Sequence, residues 1–212
     1  MFFFIEIFLS FLYRYYILVY MNILIVYAHP HHNSLNGAIF ESIIQNINSR
    51  HSVKVIDLYE EQFNPILYFD EDNKRRNLQF NTETQAYRDL ISWSNHIMFV
   101  YPIWWSGMPA ILKGFIDRVF VLNFAYSYTS SSFIPNKLLK GKTASILVTH
   151  DTPKIISTFI QKDYGKILKT QILKNMCGIK VEKMMSLTNV RNSTQRQRNL
   201  FLKKVALYSQ SL

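Results

Sequence analysis

Asn22-Ile23-Leu24-Ile25-Val26-Tyr27-Ala28 is an almost unbroken run of apolar, largely β-branched residues that passes directly into the polar stretch His29-Pro30-His31-His32-Asn33-Ser34. A short run with no polar alternation is the pattern of a strand buried on both faces. Ser34 is a helix-capping residue, and after it Leu35, Ile39, Ile43 and Ile47 recur at a spacing of four, which lays an apolar stripe along one helix face. Residues 52–58 then read as a second strand, with Val53, Val55 and Ile56 as its apolar members. Strand, loop, helix and strand in this order predict a parallel pair joined by a right-handed crossover.

The alternation continues downstream. Residues 82–94 read as a helix, 96–101 as a third strand, 109–123 as a helix with Pro109 in its first turn, and 143–149 as a fourth strand. Residues 155–176 are mostly helical with a break at Gly165, and Gly178 caps that helix before a fifth strand at 179–187. A last helix spans 193–209, whereas 59–81, with Asn64-Pro65 and the charged stretch 70–76, reads as a long surface excursion holding at most one short helix. The expected fold is therefore α/β, a doubly wound five-stranded parallel sheet with helices on both faces, formed by residues 21–212 as one domain. Ligands in such sheets bind beyond the carboxyl ends of the strands at the topological switch point, which singles out the loops 29–36, 102–109 and 149–153.

Composition narrows the function. The chain of 212 residues is 49% hydrophobic and 18% charged, a globular balance. Its formal net charge of +10 is spread from Lys54 to Lys204 in runs no longer than pairs such as Arg75-Arg76 and Lys203-Lys204, so no nucleic-acid stripe is expected and most of the charge reads as solvated surface. One cysteine, Cys177, excludes an internal disulfide and fits a reducing, cytoplasmic setting. Residues 1–20 are strongly aromatic and aliphatic with only Glu6 and Arg14 charged; they lack a secretory pattern and make a poor membrane span, and Met21 is read as the start of the domain proper.

Of the three loops, the first offers Ser34 and Asn36 beside a helix start, where free N–H groups and the helix dipole suit a phosphate; a plain helix cap explains the same residues. Neither a dinucleotide glycine fingerprint nor a P-loop is present. The second loop, Pro102-Ile103-Trp104-Trp105-Ser106-Gly107-Met108-Pro109, sets two adjacent tryptophans at the ligand edge of a buried strand. Both cannot face one core, so at least one is exposed or meets a partner, and the proline-stiffened backbone suits the polar atoms of a planar ring. Tyr126 and Tyr128, in Phe124-Ala125-Tyr126-Ser127-Tyr128, add aromatics with hydroxyl tips that fit a pocket or an interface equally well. His29, His31 and His32 cluster, but no cysteine or carboxylate completes a metal set at recognisable spacing, and no metal is expected.

Ala28-His29-Pro30 with Ser34-Leu35-Asn36, the continuous segment from Tyr101 to Phe120, Ala125-Tyr126-Ser127-Tyr128 and Met176-Cys177-Gly178-Ile179 together resemble the NAD(P)H:quinone oxidoreductase (DT-diaphorase-like) family, in order and over residues 21–212. The resemblance implies a flavodoxin-like homodimer with a flavin in each of two interface sites. His29, Ser34, Leu35 and Asn36 match the residues at the flavin's phosphate and ribityl parts; Pro102, Ile103, Trp104 and Trp105 match those along its ring; Thr149 matches a further flavin contact. Tyr126 and Tyr128 match aromatics that line the nicotinamide and quinone pocket, often from the partner subunit.

Two departures accompany the likeness. His150-Asp151-Thr152-Pro153 replaces the glycine pair that well-known members carry after Thr149, which is expected to alter the hold on the ring's edge, with Asp151 as an added acceptor. No counterpart is found for the tyrosine and histidine that assist proton movement in the larger enzymes, so no catalytic residue is assigned. The missing C-terminal extension of those enzymes favours FMN over FAD. The resemblance thus implies ping-pong hydride transfer from NAD(P)H, through the flavin, to a quinone or other small planar acceptor. A flavodoxin-type electron carrier, or a flavin-sensing regulatory subunit with a membrane partner, stays open at this point.

Overall fold

The computed structural model describes residues 20–72, 74–129, 132–159 and 163–212; the stretch 1–20 read as an extension lies, apart from Tyr20, outside the described residues. The chain runs β1 (Asn22–Tyr27), α1 (Leu35–Asn46), β2 (Ser52–Asp57), α2 (Gln85–Trp93), β3 (His96–Pro102), α3 (Ala110–Val119), β4 (Tyr126–Ser127), β5 (Asn136–Lys137), β6 (Thr143–His150), α4 (Lys154–Phe159), a π-helix (Ile167–Cys177), β7 (Lys180–Thr188) and α5 (Gln195–Gln210). Five of the strands form one parallel sheet in the order β2-β1-β3-β6-β7, the doubly wound flavodoxin-like arrangement expected. No helix among the described residues is long and apolar enough to cross a membrane.

The apolar runs explain why the central strands lie where they do. Side chains alternate across a strand, and here both faces are greasy. Ile23, Ile25 and Tyr27 of β1, with Met98, Val100 and Leu147, pack against Ile39 and Ile43 of α1 and Phe201 and Val205 of α5. Leu24 and Val26, with Ile97, Phe99, Ala144, Ile146 and Val148, pack against Leu112, Phe115 and Val119 of α3 and Leu168 and Leu173 of the π-helix. Each fully buried Ile or Leu contributes about 1.5–3 kcal/mol, which makes the two-sided sheet the dominant source of stability.

Several local readings change. The helix expected over 109–123 spans only Ala110–Val119, because Phe120 leaves helical geometry (φ −85°, ψ 57°) and Asn123 turns left-handed at φ 62°. The helical stretch 155–176 divides into α4 and the π-helix, with Gly165 in between at φ 84°. The β4–β5 hairpin, pairing Tyr126 with Lys137, was not anticipated, since two-residue strands leave no periodicity to read. Gly178 caps the π-helix in the left-handed region, φ 83°, as expected.

The excursion 59–81 is surface-lying but anchored. Buried Arg118 of α3 donates to the Asn64 carbonyl at 2.5 Å and pairs with Glu83 at 2.5 Å. Gly114 lets Pro65 press onto α3, and a Cβ there would overlap the Pro65 carbonyl. Helix propensity favours Ala over Gly by about 1 kcal/mol, but overpacking against backbone outweighs it. Gly114→Ala is expected to lower unfolding free energy in urea by about 1–3 kcal/mol.

At the opposite edge of the sheet from the three loops, buried His96 sits 2.7 Å from Thr143 Oγ1 and 3.1 Å from Ser145 Oγ. Burial pushes its pKa from 6.5 down to about 4. The unfolded chain therefore binds a proton across that window while the folded chain does not, so stability is complete above 6.5 and falls as the pH drops towards 4. Unfolding free energy is expected to fall by about 2 kcal/mol between about pH 7 and about pH 5 on this account. His29, His51 and His150, also held low by burial, add to the same slope. His96→Asn is expected to flatten the profile.

Candidate functional site at the switch point

The chain leaves β1 for β2 on one side and returns to β3 on the other, so the carboxyl ends of β1 and β3 open a crevice between their loops. Pairing carries the geometry forward: Ala28 N–H donates to the Val100 carbonyl (3.0 Å), Pro102 faces Thr149, and Ile103 N–H donates to the Thr149 carbonyl (2.8 Å).

Ser34 caps α1, its Oγ accepting the Gly37 N–H at 3.1 Å. Gly37 is required there because a Cβ would run into the His32 carbonyl as the loop folds back over the helix start. Leu35 is half-buried; Asn36 is buried and donates from Nδ2 to Thr149 Oγ1 at 2.8 Å, while its Oδ1 has no partner among the described residues. The N–H groups of Leu35 and Asn36 likewise have no partner among the described residues. His29 Nδ1 lies 2.9 Å from the His31 carbonyl and 3.0 Å from the His31 N–H, so it donates to the first or accepts from the second according to the tautomer of the ring. That ring lies 6.1 Å from the ring of Trp104. Contacts from His29 to Trp104 and from Asn36 to Thr149 thus join all three loops.

Pro102 and Ile103 are buried, Trp104 is 42% exposed and Trp105 is 103% exposed. Trp104 and Gly107 exchange two backbone hydrogen bonds (2.9 and 3.0 Å) around a two-residue turn in which Trp105 and Ser106 both have positive φ, 50° and 65°. This is type I′ geometry, which favours Asn-Gly and disfavours bulky residues. The N–H groups of Trp105 and Ser106 point into no partner among the described residues. Strain in a fully exposed tryptophan is held from outside: Tyr164 N–H donates to the Ser106 carbonyl at 3.1 Å.

Beyond Thr149, Asp151 is already engaged by a distant residue: its carboxylate accepts the Arg191 N–H at 2.7 Å and pairs with the Arg191 guanidinium at 3.2 Å. β6 continues through His150, whose buried ring lies 4.6 Å from that of Tyr164. Tyr164 OH is 2.6 Å from Thr152 Oγ1, and burial lowers the His150 pKa. This tyrosine–histidine pair escaped the sequence because His150 ends β6 while Tyr164 lies beyond α4, before the π-helix; its trace in the sequence is Gly165, which marks the bend beside Tyr164.

Tyr126 and Tyr128 stand edge to face at 5.8 Å and line a cavity of about 630 Å³ against α3 and the π-helix. None of His29, Ser34, Asn36, Trp104, Trp105 or Thr149 lines it. Separately, the fold brings carboxylates to the histidine loop that linear spacing did not reveal. His32 Nε2 lies 2.8 Å from Asp57 Oδ2, and His32, Asp57 and Glu60 each present a ligand atom within 4.8 Å of the others.

Comparison with known proteins matches residues 21–207 to a family model described as a flavodoxin-like fold. A Haemophilus influenzae protein named as an NAD(P)H oxidoreductase is 35% identical over 163 residues, 75% of this chain and 79% of that one. An Escherichia coli protein of the same designation is 32% identical over 161 residues, 74% and 76% of the two chains. A crystal structure of a Streptococcus mutans protein, 47% identical, superposes with a TM-score of 0.86 over 91% of this chain and 100% of that one.

The turn yields a test. Trp105 packs on nothing, so replacing it forfeits no burial, whereas each left-handed non-glycine residue costs about 1–2 kcal/mol. Trp105→Asn with Ser106→Gly is expected to raise unfolding free energy by about 1–2 kcal/mol, and an unchanged value would show that the turn stores no strain.

Proposed function

The chain belongs to the flavodoxin-like fold family, and on that premise we propose that it is a flavin-dependent NAD(P)H oxidoreductase with FMN as cofactor and a quinone or other planar molecule as acceptor. The names of its bacterial relatives support the nicotinamide donor. The observation that carries the reading is the Trp105–Ser106 turn: strained backbone, unpaired N–H groups and an exposed indole at the carboxyl edge of a central strand. Strain of this kind persists where a ligand site uses it.

The residues present fit a flavin. Unpaired N–H groups at the start of α1 meet the need of a phosphate, and the helix dipole favours its charge there. Ser34, Leu35 and Asn36 would hold the phosphate and ribityl chain, with His29 beside them. Pro102, Ile103, Trp104, Trp105 and Thr149 would hold the ring, and the buried, unpartnered Asn36 Oδ1 offers an acceptor within the same cluster. Bound there, the flavin supplies two-electron exchange between NAD(P)H and the acceptor. The N–H groups of Trp105 and Ser106 would stabilise negative charge at the ring's edge. His150, its pKa lowered by burial, would hold the Tyr164 ring edge to face at the end of β6 and so fix the wall beside Thr149.

The protein acts, on this reading, as a homodimer in which Tyr126 and Tyr128 complete the partner's site. Their separation from the switch-point residues within one chain supports this. The test is an absorbance spectrum of purified protein followed by anaerobic NADPH. Bands near ~450 nm that bleach on addition are expected for a flavin that accepts two electrons. Trp105→Ala is expected to lower turnover by about 10–100-fold. A protein that stays colourless after incubation with FMN and FAD, or a variant with full flavin content and full turnover, would overturn the assignment.

A further inference from the structure

The cavity beside Tyr126 and Tyr128 has a charge pattern that the redox reading does not use. Its floor is apolar, from Phe120, Leu122, Ile172 and Met176, and its volume of about 630 Å³ suits a small molecule. Three cations reach its lining: Arg75 and Arg76 from the short 3₁₀ turn Arg75–Phe80, and Lys113 from α3. Lys113 is already neutralised, its ammonium 2.6 and 2.7 Å from the Asp117 carboxylate. Arg75 and Arg76 make no ion pair or hydrogen bond among the described residues.

Two adjacent uncompensated guanidinium groups at the mouth of an apolar pocket favour an anion, and guanidinium forks bind phosphate, sulfonate or carboxylate in a defined orientation. The rim is held in place. Leu78 is buried, and Arg88 donates to the carbonyls of Leu78 (3.4 Å) and Asn81 (2.6 Å), which fixes the turn that carries the two arginines. The charge of Arg75 is felt at the Tyr126 hydroxyl, where it opposes the rise that burial imposes.

We propose that this cavity receives a flat aromatic ligand bearing an anionic group, its ring against Tyr126 and Tyr128 and its anion on Arg75 and Arg76. The assignment rests on the reading of the tyrosine pair as a substrate wall. The anion has two possible sources, the 2′-phosphate of NADPH or an acidic group on the acceptor, and the same chemistry serves both.

The experiment compares wild type with the double variant Arg75→Gln, Arg76→Gln. Both side chains are exposed, so the variant is expected to keep its thermal melt. Fluorescence titration with anilinonaphthalene sulfonate is expected to show about 10–100-fold weaker binding to the variant, with the uncharged phenylnaphthylamine changed by less than about twofold. Equal losses for both probes, or none, would overturn the proposal. Steady-state turnover then separates the sources. A kcat/KM lost for NADPH but kept for NADH assigns the anion to the nucleotide; a loss confined to a sulfonated acceptor assigns it to the acceptor; no selective loss in an active enzyme overturns the proposal. Absence of turnover with every donor would sink the redox reading alone, because the probe titration still decides the cavity.

Discussion

Thr149 uses both of its oxygens at one spot: the carbonyl accepts the Ile103 N–H at 2.8 Å, and the hydroxyl accepts the Asn36 amide at 2.8 Å. Through this residue the end of β6, the prolongation of β3 and the start of α1 are tied together in a buried setting where an unmade bond costs about 1–3 kcal/mol. The crevice is therefore no accident of loop placement. A fully buried parallel sheet sends all its strand ends to one edge, and the reversal of strand order between β1 and β3 keeps neighbouring loops from covering that edge. Whatever sits there meets a frame already bonded into shape, which lowers the entropic cost of binding.

Much of this frame was legible. Seven consecutive residues from Asn22 admit only a strand buried on both sides, and the spacing-four stripe after Ser34 admits only a helix laid on that sheet; both appear where the pattern puts them. Adjacent tryptophans could not both be core, and Trp105 is indeed wholly exposed. The features that stayed hidden share a physical cause, namely that they depend on contacts between distant residues. The Asp57 and Glu60 partners of His32 are separated from it by a helix and a strand, and no spacing rule spans that gap. The fate of Asp151 turned on Arg191, forty residues onward, and the paired left-handed residues at Trp105 and Ser106 violate the very propensity a sequence reading relies on.

Three left-handed non-glycine residues gather beside the crevice. At its helix ends the chain obeys local preference: a capping box on α5, a serine cap on α1, a left-handed glycine after the π-helix. Around the crevice Trp105, Ser106 and Tyr164 adopt positive φ together, the Tyr164 N–H bonded to the Ser106 carbonyl, whereas Gln62, Asn123 and Asn189 do so singly. Local preference given up by several residues in one compact region is the pattern expected where shape is favoured over stability.

Cys177 gives the fold one further property. It is 1% exposed at the end of the π-helix, and burial holds its thiol protonated, with a pKa pushed up to about 12. Because only the thiolate reacts, alkylating reagents and peroxides meet this sulfur in its unreactive, protonated form, although it lies in the lining of the cavity beside Tyr126. As the chain's sole sulfhydryl, it makes the rate of thiol labelling a report on this one place in the fold, where the π-helix, the sheet and the cavity meet.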